Sequence, residues 1–191
     1  LQTIEKYAFS RSIIEEISIP ASVTKICENA FSNCDNLKKV EIPTNSNLQT
    51  IEKNAFSQSS IEEISIPQSV TKICDSAFSN CSNLIKVEIP TNSNLQTIEK
   101  DAFSSSKIKR ISIPQSVTKI CGRAFFDCRN LKKVEIPTNS NLQTIEENAF
   151  SYSKIIKISI PQSVTKICEC AFYNCDNLIK VEIPTNSNLQ T

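Results

Sequence analysis

A 47-residue repeat runs through the whole of this 191-residue chain without an insertion or a deletion. Leu1, Leu48, Leu95, Leu142 and Leu189 each open the string Leu-Gln-Thr, always 47 residues apart. Each period divides into two similar halves, such as those that begin at Leu48 and Val70. Self-similarity at a period this short marks a stacked repeat architecture, because one unit cannot bury its apolar residues alone and must lie against its neighbours.

The halves share a pattern, apolar-x-x-apolar-x-apolar-Pro, that begins at Ile14, Leu37, Ile61, Leu84, Ile108, Leu131, Ile155 and Leu178. A shorter step, as from Ile14 to Leu37, alternates with one longer by a single position, as from Leu37 to Ile61. All eight prolines of the chain sit at the end of the pattern. Proline has no amide hydrogen for a ladder, so it belongs at the end of a strand and not inside one. The pattern therefore predicts one short strand per repeat, with Leu37, Val40 and Ile42 pointing inward in the second repeat. Stacked repeats then lie parallel at about 4.8 Å. Between strands runs apolar-x-x-Ile-x-x-x-Ala-Phe, as in Val23, Ile26, Ala30 and Phe31. The Ala-Phe pairs are expected to fill the core from the opposite wall, with Phe9, Phe31, Phe56, Phe78, Phe103, Phe125, Phe150 and Phe172 in register. Phe126 stands one place off that column and is expected at the surface.

The string VTKICENAFSNCDNLKKVEIP, from Val23 to Pro43, resembles the BspA-like leucine-rich repeat, also called the Treponema pallidum type. The resemblance covers the whole chain, because spacing, Ala-Phe and the terminal Ile-Pro all recur. One departure is Cys27, where the family usually has glycine; the alternate halves carry Glu5, Glu52, Glu99 and Glu146 there. The fold this implies is an α/β repeat solenoid: a right-handed leucine-rich-repeat coil with one curved parallel sheet of eight short strands and a short helical or turn-rich convex wall. Residues 1–191 read as a single array of four 47-residue double repeats, each a shorter and a longer half, with no visible caps. Proteins similar to this occur on the surfaces of host-associated bacteria and of protists such as Trichomonas. The resemblance implies a non-enzymatic, adhesin-like module on a cell surface or secreted, with a protein or glycan partner on host matrix or cells.

The residues speak against several other classes. There is no His, which removes the commonest general base. With a single glycine, Gly122, no phosphate-cradling loop or dinucleotide fingerprint can be written. No catalytic residue, cofactor or metal site is expected, since close CxxC pairs are lacking too. A net charge of +1 exerts no global pull toward nucleic acid or an acidic membrane. No run approaches the roughly 18 apolar residues of a membrane span, and the first ten residues do not read as a signal peptide. The chain opens mid-pattern, which leaves room for a leader or an anchor ahead of it.

Eight of the nine cysteines form two columns, Cys27, Cys74, Cys121, Cys168 and Cys34, Cys81, Cys128, Cys175. Members of one column are two strands apart, about 9.6 Å, too far for a disulfide, whose Cα atoms lie within about 7 Å. They read as small buried apolar residues, while Cys170 reads as an exposed free thiol. Asn80-Cys81-Ser82 is the one glycosylation sequon.

The strand face carries the candidate binding residues. The third position of the pattern reads Glu16, Lys39, Glu63, Lys86, Arg110, Lys133, Lys157, Lys180, and the fifth alternates Ser with Glu41, Glu88, Glu135 and Glu182. Two readings follow. Arg110, Lys133, Lys157 and Lys180, with Glu88, Glu135 and Glu182, form a stripe for an acidic protein or glycan. Alternatively the face is a solvated sheet whose charges neutralise locally, which the Glu ladder favours. Nucleic acid fits poorly, because no aromatic residue on this face offers a stacking platform. The loops Thr-Asn-Ser-Asn (44–47, 91–94, 138–141, 185–188) form an identical polar ridge, for which turn formation by Asn and Ser is sufficient reason. Without caps, Leu1, Ile4, Ile14 and Ile17 at one end and Leu178, Val181, Ile183 and Leu189 at the other are candidate contacts for head-to-tail self-association into filaments or tubes.

Overall fold

The computed structural model describes residues 2–190, which wind into about eight turns of a parallel-strand β-solenoid. Each turn contributes two strands. The longer series is β2 (Glu16–Ser18), β4 (Lys39–Glu41), β6 (Glu63–Ser65), β8 (Lys86–Glu88), β10 (Arg110–Ser112), β12 (Lys133–Glu135), β14 (Lys157–Ser159) and β16 (Lys180–Glu182). The shorter series is β1 (Thr3–Ile4), β3 (Lys25–Ile26), β5 (Thr50–Ile51), β7 (Lys72–Ile73), β9 (Thr97–Ile98), β11 (Lys119–Ile120), β13 (Thr144–Ile145) and β15 (Lys166–Ile167).

The eight predicted strands are all present, but they do not make one sheet. They ladder as two four-stranded sheets, β2-β4-β6-β8 and β10-β12-β14-β16, while the two-residue strands join into a continuous eight-stranded sheet on a second wall. The alternating spacing accounts for the interruption. Strands related by the shorter step bridge at three positions, as in Arg110↔Lys133, Ile111↔Val134 and Ser112↔Glu135. Strands related by the longer step keep a single bridge, Lys39↔Glu63 or Lys133↔Lys157. Between β8 and β10 a backbone bond from Lys109 N–H to Ile85 O (3.2 Å) holds the strands together without a ladder.

Among the described residues there is no helix, so of the two forms expected for the convex wall, helical or turn-rich, the helical one is corrected. The third wall is a chain of turns. In the second coil Ala30 N–H donates to Cys27 O and Ser32 N–H to Asn29 O, while Asn29, Phe31 and Asn33 donate to Lys53 O, Ala55 O and Ser57 O of the next coil. Each coil places two residues at positive φ on either side of its Ala-Phe-x segment: Asn29 and Asn33, Ser76 and Asn80, Arg123 and Asp127. A positive φ at the third residue of an i→i−3 turn is the type II arrangement. Among the described residues sixteen such positions recur along the wall and none is glycine. Local turn bonds thus alternate with bonds to the neighbouring coil, so the backbone is satisfied without helical hydrogen bonding.

One core runs the length of the stack. Its centre is the phenylalanine column, in which successive rings from Phe9 to Phe172 lie parallel with centroids 5.0–5.4 Å apart. Leu37, Leu84, Leu131, Ile61, Ile108 and Ile155 close it from the strand side, and Ile26, Ile51, Ile73 and their equivalents from the second sheet. In the alternate halves the Glu column ties one coil to another: Glu146 accepts from Gly122 N–H at 2.8 Å and pairs with Lys119 at 2.7 Å, and Glu52 likewise takes Glu28 N–H and Lys25. In the Thr-Asn-Ser-Asn loops the working side chain is serine, since Ser46, Ser93, Ser140 and Ser187 accept from the following Leu N–H at 3.1–3.2 Å. The loop asparagines contribute backbone bonds instead, as from Asn47 N–H to Ala21 O.

Candidate interaction surface

Strand geometry sends successive side chains to opposite faces, so Ile64, Val87, Ile111 and Val134 are buried while the third and fifth positions of the pattern face outward. Parallel register then lines these positions up across coils: Glu16↔Lys39, Glu63↔Lys86, Arg110↔Lys133 and Lys157↔Lys180 are direct neighbours. Arg110, Lys133, Lys157, Lys180, Glu88, Glu135 and Glu182 therefore share one face, all exposed except Glu182, which is partly covered.

Much of the charge on this face is internally neutralised. Lys86 pairs with Glu88 at 2.7 Å, Lys133 with Glu135 at 2.5 Å, and Glu182 takes both Lys157 (2.7 Å) and Lys180 (2.9 Å). A serine on the preceding strand donates to each of these acids, Ser65 to Glu88, Ser112 to Glu135 and Ser159 to Glu182. Hydrogen bonds from the neighbouring lysines hold Glu88 and Glu135 below the usual carboxylate range. Glu182, with Lys157, Ser159 and Lys180 all donating to it, is held down at about 2. Of the four predicted stripe cations, Arg110 is the one without an ion pair among the described residues.

A second outward column, the second position of the pattern, was not anticipated. It reads Glu15, Lys38, Glu62, Ile85, Lys109, Lys132, Ile156, Ile179, and every member is exposed. The first position turns into the core at the corner before the strand begins, so the two residues after it both face solvent; strict alternation would have hidden one of them. Two open grooves of about 1110 and 840 Å³ run along this face and meet at Ile89, Thr91 and Ser112. The first is bordered by Glu62, Ile85, Lys109 and Arg110, and the second by Lys132, Lys133, Ile156 and Pro137.

On the turn wall Phe126 is only half-exposed, contrary to expectation. Its ring meets Tyr152 edge-on at 5.4 Å, Tyr152 meets Tyr173 at 5.7 Å, and the Arg123 guanidinium lies 3.9 Å above Phe126. All nine cysteines are free thiols, with Cys170 exposed and the rest buried or partly so. The second column is held by the core. Cys81 Sγ donates to Phe56 O at 3.1 Å and meets Ser59 Oγ at 3.6 Å, and Cys128 does the same with Phe103 and Ser106. Burial pushes the Cys81 thiol up to about 12 and the Cys128 thiol to about 11. Among the described residues no cluster of three or more His, Cys, Asp or Glu could hold a metal ion, and no helix is long and apolar enough to cross a membrane.

The predicted end contacts differ in exposure. Ile4 is buried, and Ile14, Ile17, Leu178 and Leu189 are half-buried. Val181 is 46% exposed against 6% for its equivalent Val134 inside the stack, and Ile183 is 47% exposed against 8% for its equivalent Ile89. Leu1 lies outside the described residues.

A parallel-strand solenoid with one apolar column at its centre and short strands ending at Ile-Pro is a leucine-rich-repeat protein. The BspA type leucine rich repeat region matches residues 2–132 and 96–191, and the chain belongs to that family. Similar solved structures include a leucine-rich repeat protein from Eubacterium ventriosum, 26% identical with a TM-score of 0.76, over 91% of this chain and 46% of that one. Another, from Bacteroides ovatus, is 25% identical with a TM-score of 0.66, over 97% of this chain and 65% of that one. A leucine rich cell surface protein from Faecalibacterium prausnitzii is 25% identical with a TM-score of 0.58, over 95% and 64%. This chain thus spans less than two thirds of each of these chains. A comparison with curated proteins finds no match.

Proposed function

We propose that this chain is a recognition scaffold without catalytic activity, displayed on a cell surface or secreted, in which the eight coils act as one continuous array. Its partner is a protein or glycan of host matrix or cells, bound on the strand face around Arg110, Lys133, Lys157 and Lys180 and framed by Glu88, Glu135 and Glu182. One observation carries this reading. Along the array the strand face changes in sign and polarity from coil to coil, from Glu16 and Glu63 to Arg110 and Lys157, while the Thr-Asn-Ser-Asn ridge stays constant. A face that only had to close the fold could be as uniform as the ridge. A surface location draws support from the Faecalibacterium prausnitzii relative, described as a cell surface protein.

The test is binding of the purified chain to immobilised collagen, laminin, fibronectin and sulfated glycans, repeated with Arg110, Lys133, Lys157 and Lys180 all changed to Glu. Loss of binding in the variant supports the reading, and unchanged binding rejects the stripe. Self-association into filaments is a second reading, favoured by the exposed Val181 and Ile183, which a following coil of any chain would cover. Light scattering over a concentration series separates the two: mass that grows with concentration favours stacking, and a constant mass near 21.3 kDa removes it.

A further inference from the structure

The second-position column contains a segment unlike the rest. Ile85, Lys109, Lys132 and Ile156 are joined in sequence by backbone bonds, Lys109 N–H to Ile85 O (3.2 Å), Lys132 N–H to Lys109 O (3.0 Å) and Ile156 N–H to Lys132 O (3.2 Å). These bonds fix the four residues in one row across four coils, at intervals of about one strand spacing. The row therefore spans about 14 Å. Its ends are apolar and open, with Ile85 40% and Ile156 43% exposed. Its middle is cationic, and Arg110 lies beside it.

What distinguishes these cations is the lack of an acid. Lys86, Lys133 and Lys157 are each held by a carboxylate. Among the described residues Lys109, Arg110 and Lys132 make no ion pair. The acid whose charge balance includes Arg110 is Glu135, and Lys133 and Ser112 already occupy it. Such a cluster attracts an anion without first having to break an internal pair, whereas each paired lysine must give up a partner. Both grooves open onto this row.

We infer that the row from Ile85 to Ile156, with Arg110 beside it, docks an extended acidic peptide segment of a partner protein, one whose central carboxylates lie between two apolar side chains. This deepens the recognition reading above and rests on it. About 14 Å is the length of about four residues of extended chain, so the segment has apolar residues four places apart, on one face, with acids between. A uniformly charged glycan would match the cations but leave Ile85 and Ile156 uncovered, which is why a peptide fits better. The acids supply attraction and register, and the isoleucines supply burial.

The experiment is fluorescence anisotropy with the intact chain and a labelled ten-residue peptide holding three central acidic residues between two isoleucines. A second peptide replaces the acids with their amides, a third replaces the isoleucines with serine, and dextran sulfate serves as the polyanion competitor. The expected result is saturable binding of the first peptide, at least tenfold weaker for the amide peptide and severalfold weaker for the serine peptide. Lys109→Glu with Lys132→Glu should lower affinity at least tenfold, Ile85→Ser with Ile156→Ser severalfold, and Tyr173→Ser on the turn wall should leave it unchanged. All these residues are exposed, and circular dichroism with a melting curve checks each variant's fold. Equal binding of the amide or serine peptide, or no binding of the first, overturns the inference. So does dextran sulfate binding that ignores the isoleucines, which would assign the row to a polyanionic glycan. Matrix binding that survives Lys109→Glu with Lys132→Glu leaves the scaffold reading standing and removes this one. Peptide binding without any matrix binding does the reverse.

Discussion

Replacing Phe78 with alanine probes the column on which the stack depends. Phe78 is fully buried, and its ring lies between Phe56 at 5.3 Å and Phe103 at 5.2 Å. Removing a buried phenylalanine side chain costs about 3–5 kcal/mol. Two parallel ring contacts are lost as well, each worth about 0.5–1.5 kcal/mol beyond area, which places the change near the top of that range, at about 5 kcal/mol. Phe126 is the internal control. It is half-exposed, with one edge contact to Tyr152 and the Arg123 guanidinium above it, so Phe126→Ala should cost about 2 kcal/mol. The assay is urea denaturation followed by far-ultraviolet circular dichroism, with both variants made in the same chain. In a stacked array stability is close to a sum of neighbour terms. A defect between Phe56 and Phe103 should therefore also broaden the transition, because the coils on either side lose coupling. Equal costs for the two variants would refute the idea that the ring column carries the cohesion between coils. So would a Phe78→Ala loss that falls short of the range for a buried phenylalanine.

The turn wall gives a prediction of opposite sign. Ser76 sits at φ 56°, where a non-glycine residue costs about 1–2 kcal/mol, so Ser76→Gly should stabilise by about 0.5–1 kcal/mol after the extra chain entropy of glycine. Asn29, at the equivalent turn, tolerates that conformation, and Asn29→Gly should be nearly neutral in the same melts. Thiol titration of the native chain should show one fast-reacting cysteine, Cys170, with Cys81 and Cys128 reacting only on unfolding; modification of Cys81 at the Cys170 rate would contradict its burial. Alkaline pH should destabilise. Burial raises Cys81 to about 12 and Cys128 to about 11, so above the unfolded value near 8.5 the unfolded chain has lost protons that the native chain keeps. The contribution of each thiol is complete below that pH. It then falls by about 1.4 kcal/mol per pH unit until the native value is passed, and urea midpoints from pH 8 to 11 should flatten in Cys81→Ala with Cys128→Ala.

The repeat made the strands legible because proline marks their ends and the apolar triplets mark their buried side. Ile17, Val40 and Ile64 all lie within observed strands. The phenylalanine column was readable from register alone. The second sheet was not, since two residues such as Lys25–Ile26 carry no alternation to detect. The expected helix failed on turn chemistry. Asparagines four apart, Asn29 and Asn33, tolerate positive φ, which selects the turn-rich form of the wall over the helical one. For the site, counting positions was enough to put Arg110 and Lys133 side by side on one face. Their different situations depended on register: Lys157 reaches across a strand to Glu182, whereas no acid among the described residues reaches Arg110. Lys109 and Lys132 escaped notice because the corner before each strand breaks the two-residue period.

The central claim is that recognition belongs to the strand face and not to the turn wall. Two variants address it directly, one with Arg110, Lys133, Lys157 and Lys180 changed to Glu, the other with Phe126, Tyr152 and Tyr173 changed to Ser. Each is compared with the unmodified chain by biolayer interferometry on immobilised matrix proteins and sulfated glycans. The account predicts that the strand-face variant loses binding at least tenfold while the turn-wall variant keeps it. Loss in the turn-wall variant alone, or no binding by the unmodified chain, would contradict it.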